Sequence, residues 1–128
     1  MDALSSQHLW TGRILSGIAI AFLLMDASGK LLRVSRVVEE TVKLGYPESA
    51  VFTVGALLLA GVVLYAIPAT SLWGAIYLTA FLGGAFATQF RVGNPLFSHV
   101  LFSVYVAVFV WGGLALRNPR LAALLLGR

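Results

Sequence analysis

The chain has 128 residues, enough for one domain, and is 59% hydrophobic but only 11% charged, where soluble domains carry roughly 25% charged residues. A soluble fold of this size could not hide that much apolar surface, and the mean hydropathy is +0.92, so the composition predicts an integral membrane protein. The net charge of +4 sits on basic residues that flank apolar runs; this suits anionic lipid headgroups and argues against nucleic acid as a partner, while the absence of cysteine excludes disulfides, thiol exchange and thiolate metal sites.

Residues 1–9 are largely polar and lead into Trp10. The apolar run from Ile14 to Met25 is short for a span, since roughly 20 residues cross the hydrocarbon core. It reaches full length if Trp10 to Arg13 and Asp26 to Ser28 occupy the two interfaces, which predicts a first span over 10–28. A cleaved signal peptide is the rival reading. It is disfavoured because Arg13 is the one basic residue before the run and no small-x-small cleavage site follows.

From Lys30 to Leu44 the pattern changes. Lys30, Arg33, Arg36, Glu40 and Lys43 form one helical stripe, and Leu31, Val34, Val38 and Val42 form another. Glu39 and Lys43 stand in the favoured i,i+4 order. This predicts an amphipathic helix over 30–44 lying in the interface; its plainer alternative is a solvated connecting helix. Gly45 suits a C-cap, and Tyr46-Pro47 suits the start of the next element.

The second predicted span covers 48–67. Pro68-Ala69-Thr70-Ser71 is an uncharged turn, with Ser71 placed to cap a third span over 71–90. Asn94-Pro95 then opens a fourth over 95–116. Arg117-Asn118-Pro119-Arg120 ends it, and Leu121 to Leu126 is too short to cross again. The predicted fold class is all-α: one integral membrane domain over 1–128, a four-helix bundle with an additional interfacial amphipathic helix between spans 1 and 2.

Four spans put both ends of the chain and the Pro68 turn on one side. Trp10, Tyr65, Trp73 and Trp111 fall toward that side, as an aromatic belt would. Arg13, Arg117, Arg120 and Arg128 lie there too, against Lys30, Arg33, Arg36, Lys43 and Arg91 opposite. The positive-inside rule barely separates these sets. Glu39, Glu40 and Glu48 offset the basic residues of the second set, which tilts the expectation toward cytoplasmic termini. Gly17 and Ala21, Ala56 and Ala60, Ala80 and Gly84, and Gly83 and Ala87 are small-xxx-small pairs. They mark the third span, with Gly83-Gly84, as a packing helix, either within the bundle or against a partner subunit.

The polar side chains gather at the mouth opposite the termini. Asp26 and Lys30 are i,i+4, and pairing lowers the penalty of holding either charge near hydrocarbon. The pair reads as a ligand-binding or proton-handling group, or as a plain helix-end ion pair. His99 lies one turn into the fourth span with Ser103 on the same face; it could bond a carbonyl, move a proton, or merely tie down the 91–94 loop. Gln89 in an apolar segment needs a partner, with Asp26 and His99 the candidates. Arg91 can hold an anionic or carbonyl group or snorkel to phosphates. Tyr46 and Glu48 reach the mouth from the second span. Thr53 and Thr79 are expected to bond their own helix carbonyls. The ligand-binding candidates are therefore Asp26, Lys30, Tyr46, Gln89, Arg91 and His99. His8 stands apart from His99, and no metal site is read from the two. No Gly-x-Gly-x-x-Gly, phosphate loop, His-Glu-x-x-His or nucleophile elbow occurs, which argues against a nucleotide-using enzyme or a hydrolase.

Taken in order, Trp10-x-Gly12-Arg13-Ile14-Leu15-Ser16-Gly17, Asp26-x-x-x-Lys30-Leu31, Val37-Val38-Glu39, Leu44-Gly45-Tyr46-Pro47-Glu48, Leu82-Gly83-Gly84-Ala85 with Ala87-Thr88, and Arg91-Val92-Gly93-x-Pro95-Leu96-x-x-His99 resemble the DoxX-like family of small bacterial membrane proteins. The resemblance covers about residues 10–123. It implies a four-helix bundle in the inner membrane. The family takes its name from a subunit linked to thiosulfate:quinone oxidoreductase, and other relatives are tied to redox-stress complexes. Members often carry histidine where this chain has Gln89, so a role needing that imidazole is not implied here. Without cysteine the chain cannot carry sulfur on a thiol, which leaves quinone contact or anchoring of a partner. The expectation is a protein that binds a lipophilic small molecule such as a quinone at its polar mouth. The alternative is a non-catalytic accessory subunit packed against a larger membrane complex or against itself. Transport is a weaker third reading, since no internal repeat is present.

Overall fold

The computed structural model describes residues 3–127, which form six α-helices joined by short turns. α1 (Ala3–Leu31) leads through a short break into α2 (Ser35–Lys43). α3 (Ala50–Ala66) and α4 (Ser71–Arg91) are joined by a 3-10 turn over Pro68–Thr70. A π-helical turn over Leu96–Val100 opens α5 (Phe102–Arg117), and α6 (Pro119–Leu125) closes the described chain. Ser6–Leu31, Pro68–Arg91 and Leu96–Arg117 are each long and apolar enough to cross a bilayer, and Ala50–Ala66 is a shorter apolar helix. The protein is an all-α membrane four-helix bundle.

α1 packs on α3 and α5, and α4 packs on the same two. The four apolar helices therefore close a ring with α1 and α4 on one diagonal and antiparallel neighbours throughout. Leu23, Leu58, Val62, Leu78 and Val110 fill its centre. Large apolar side chains such as Trp73, Phe90 and Val108 point outward, as a lipid-facing surface requires.

Local chemistry moves several of the expected boundaries. α1 continues through Lys30 and Leu31, so the amphipathic segment starts at Ser35 instead of residue 30. The break falls at Leu32–Val34, where Arg33 takes φ 55, a conformation that costs a residue with a Cβ about 1 kcal/mol. Ser71 does not cap α4 as an acceptor. Its Oγ donates to the carbonyls of Tyr65 (2.8 Å) and Ile67 (3.0 Å), tying the end of α3 to the start of α4. Asn94-Pro95 opens a π turn, in which the Val100 amide reaches back to the Pro95 carbonyl at 3.1 Å. Asn118 does act as a cap, accepting from the Leu121 amide at 3.2 Å, with Pro119 in the first turn of α6.

The two ends of the bundle are packed differently. At the Pro68 end, Gly12 of α1 meets Gly113 of α5, and Gly113 lies against the backbone of Ser16. Gly61 of α3 accommodates the Tyr77 ring, and Gly74 of α4 lies against the backbone of Tyr65. Any side chain at Gly74 or Gly113 would collide with main chain. Tyr65 is not a belt residue: it is 1% exposed. Its hydroxyl donates to the Val110 carbonyl at 2.6 Å and sits 2.7 Å from the Ser16 hydroxyl. Arg117 stacks over its ring at 5.8 Å. Trp10 and Trp73 are exposed as a belt requires, whereas Trp111 donates to Thr79 Oγ1 at 2.6 Å. Gly83 and Gly84 make none of the crossings, and a Cβ at either would meet nothing within 4 Å.

Candidate functional site

Toward the other end the ring loosens. α1 and α3 stay close there, because Gly55 admits the Lys30 side chain and the Ala27 carbonyl. α4 and α5 diverge from them, and a cavity of about 680 Å³ opens between the four helices under α2. That is within the roughly 300–1,000 Å³ typical of small-molecule sites. Its deep walls are apolar, with Phe22, Leu23, Phe81, Leu82 and Val106 among them. Its rim is polar. A smaller cavity of about 180 Å³ adjoins it beneath the end of α2, sharing Glu40, Leu44, Gln89 and His99.

The spacing along each helix explains how the rim is assembled. Asp26 and Lys30 lie one turn apart on the inward face of α1, and their charged groups meet at 2.5 Å. The Lys30 side chain is 13% exposed and that of Asp26 38%, so the cation is the deeper partner. Each neutralises the other, and the cavity wall on this side carries a dipole without net charge. Thr88 and Gln89 come from the last turn of α4, Tyr46 from the segment before α3, His99 from the π turn and Ser103 from the first turn of α5. The π turn matters here. It adds a residue to the first turn of the helix, and both His99 and Ser103 line the cavity. Nδ1 of His99 lies 2.8 Å from the Ser98 hydroxyl, which leaves Nε2 as the ring nitrogen without an intramolecular bond among the described residues.

α2 supplies the roof. Arg36, Val37, Glu40, Thr41 and Leu44 all face the cavity. Thr41 is buried and donates to the Val37 carbonyl at 2.8 Å. The roof is fastened at both ends by unusual backbone, Arg33 at φ 55 and Gly45 at φ 100.

Five of the six candidates, Asp26, Lys30, Tyr46, Gln89 and His99, line one cavity. Arg91 is not among its lining residues; its guanidinium lies beside Gly45, where an added Cβ would come within 3.0 Å of it. Gln89 bonds neither Asp26 nor His99. Its side-chain carbonyl accepts from the Asn94 amide, a pairing the turn makes possible by folding residue 94 back over the end of α4. On α2, Lys43 pairs with Glu40 at 3.7 Å, and no Glu39–Lys43 pair forms. Thr79 bonds its own helix through the Ala75 carbonyl at 2.7 Å. Sequence reasoning missed the roof residues Arg36, Val37, Thr41 and Leu44. The signal was present, since these positions share one face of the amphipathic segment, but nothing in the spacing says which way that face turns.

Apolar walls, a neutralised ion pair and a free imidazole nitrogen suit a ligand with an apolar body and one polar end. Among the described residues no three His, Cys, Asp or Glu side chains cluster to hold a metal ion. A model of the DoxX-like family matches residues 14–113 of the chain. No curated protein and no solved structure matches it.

Proposed function

Since the chain belongs to the DoxX-like family of small membrane proteins, we propose that it holds a lipophilic small molecule, of the quinone class, in its mouth cavity as part of a membrane redox system. The observation that carries this reading is the joining of a mostly apolar cavity of about 680 Å³ to a polar rim that includes Lys30, Gln89 and His99. A bound quinone would supply two-electron, two-proton chemistry. The residues here would hold and orient it. Nε2 of His99 can donate to a carbonyl or exchange a proton with it. Lys30, anchored by Asp26, presents further N–H groups for a carbonyl. Phe81 and Leu82 would enclose the ring and exclude water.

We propose the bacterial inner membrane on the family resemblance, with cytoplasmic termini because Glu39, Glu40 and Glu48 offset the basic residues around the mouth. A cysteine introduced at Arg120 should then react with a membrane-impermeant maleimide in inverted vesicles and not in intact cells.

Native mass spectrometry of the protein, purified gently from its own membranes, tests the main reading. A stoichiometric small lipophile that is lost on His99→Ala supports it. The competing accessory-subunit reading draws on Gly17 and Gly83, which face outward with nothing within 4 Å of an added Cβ and could admit a neighbouring helix. A stoichiometric protein partner without a small molecule, released by Gly83→Leu, would favour that reading.

A further inference from the structure

The ring of helices has four seams, and at the mouth end they are not equally closed. Between α1 and α3, Gly55 sits against Lys30 and the Ala27 carbonyl. Between α1 and α5, the rings of Phe22 and Phe102 meet at 5.0 Å. Between α4 and α5, the π turn packs back on α4. The α3–α4 seam differs. It is tight as far as Tyr77, whose hydroxyl donates to the Leu57 carbonyl at 2.6 Å. Beyond that bond the half-buried Val54, Phe81 and Ala85 line the cavity, and between them and the lipid stand Leu57, which is 51% exposed, and Gly84, which is exposed and has nothing within 4 Å of an added Cβ. Both residues also line the cavity. Phe22 and Phe102 also line the cavity and are partly exposed, but their rings close on each other, whereas at Gly84 nothing stands within 4 Å of an added Cβ.

Leu57 lies seven residues into α3 from Ala50, and Gly84 seven residues before Arg91, so both sit about 10 Å inside the helix ends. That depth is acyl chain, not headgroup, for a bundle whose rim charges mark the interface. We infer that the cavity opens sideways into the bilayer through a slot between α3 and α4, bounded by Leu57 and Gly84. Its occupant is a lipid-soluble amphiphile whose polar head lies at the His99 rim and whose hydrocarbon tail lies through the slot. The inference rests on the cavity being a ligand site, but not on the ligand being a quinone. The missing side chain at Gly84 is what leaves the slot open, and the Tyr77–Leu57 bond is its floor. Such a ligand arrives from the membrane and never crosses water.

The chain has no cysteine, so Ser103→Cys places one thiol on the far cavity wall. The protein is reconstituted in phosphatidylcholine vesicles and labelled in parallel with a pyrene maleimide dissolved in the bilayer and with a charged, water-soluble maleimide. Adding Gly84→Trp should slow the lipid-soluble reagent about ten-fold, as access to the thiol falls, and leave the water-soluble one unchanged. Gly83→Trp, one residue round the helix, should change neither. Unchanged lipid-soluble labelling with Gly84→Trp overturns the slot. Equal slowing of both reagents also overturns it, since the mouth would then be the shared opening. Leu57→Trp takes the place of Gly84→Trp if that variant does not fold. No quinone enters the measurement, so a failure here is distinct from a failure of the quinone reading.

Discussion

A side chain added at Gly74 would run into the backbone of Tyr65, whereas one added at Gly84 would meet nothing within 4 Å. The two glycines lie on the same helix, ten residues apart. The first belongs to an end of the bundle where backbones touch, where Tyr65 bridges α1 and α5 through Ser16 and Val110, and where Ser71 laces α4 to α3. The second belongs to an end where the helices part around a cavity and α2 lies across the gap. One end fixes the geometry of the ring, and the other uses it. Glycine serves opposite purposes in the two places, close approach in one and empty space in the other.

Substitutions at the two ends should accordingly have unlike effects. Gly74→Val or Gly113→Val should prevent assembly altogether, since overpacking against main chain costs upward of about 3 kcal/mol when nothing can yield. Neither variant should give a monodisperse peak in detergent size-exclusion chromatography. Gly84→Val should elute and melt like the parent; a comparable loss there would erase the distinction between the ends.

The next effect in size concerns the ion pair at the mouth. Asp26→Leu strands the less exposed ammonium of Lys30 and should cost about 2–3 kcal/mol, while Lys30→Leu strands the better-solvated carboxylate and should cost about 1 kcal/mol. Thermal unfolding in detergent reads both, and the reverse order would mean that the carboxylate is the buried partner. Tyr65→Phe removes the hydroxyl that joins Ser16 to Val110 and should cost about 1 kcal/mol, near the mean for a hydrogen bond between membrane helices. Because it acts at the closed end, it should leave ligand binding at the mouth unaltered. The smallest effect belongs to the roof. Arg33→Gly relieves the positive φ and should stabilise by at most about 1 kcal/mol, offset in part by the extra freedom of glycine in the unfolded chain.

What could be read from the sequence follows the reach of each signal. The apolar runs and the Asp26–Lys30 pair are local, set by the helical repeat, and both stand in the structure. Gathering of the polar residues at one mouth follows from counting spans, since each turn reverses the chain. Facing is another matter. Gly83-Gly84 reads as a packing motif because small residues permit contact, but nothing in the residue itself brings a partner to it. Tyr65 near a helix end reads as an interfacial aromatic. It is buried because Gly74, nine residues on, lets α4 close over it. Gln89 found Asn94 because Gly93, at φ 76, turns the chain back over the end of α4 and sets the Asn94 backbone amide 3.2 Å from the Gln89 backbone carbonyl, a reversal that a lone glycine after a helix permits but does not dictate. Lys43 chose Glu40 over Glu39, although both spacings are allowed on a helix.

The short third helix has a consequence for the surrounding lipid. Its 17 residues span about 25 Å along the axis, less than the roughly 30 Å of an average hydrocarbon core. Its neighbours α1 and α4 are longer, at 29 and 21 residues. Helix length is therefore uneven around the ring, and the lipid beside α3 meets a shorter helix than the lipid beside α1 or α4. Lipids there must compress, or the whole ring must tilt to bring α3 into register, at a cost of fractions of a kcal/mol per Å of mismatch. Either response is eased in a thinner membrane, so bilayers of shorter-chain lipid should hold this protein with the least distortion.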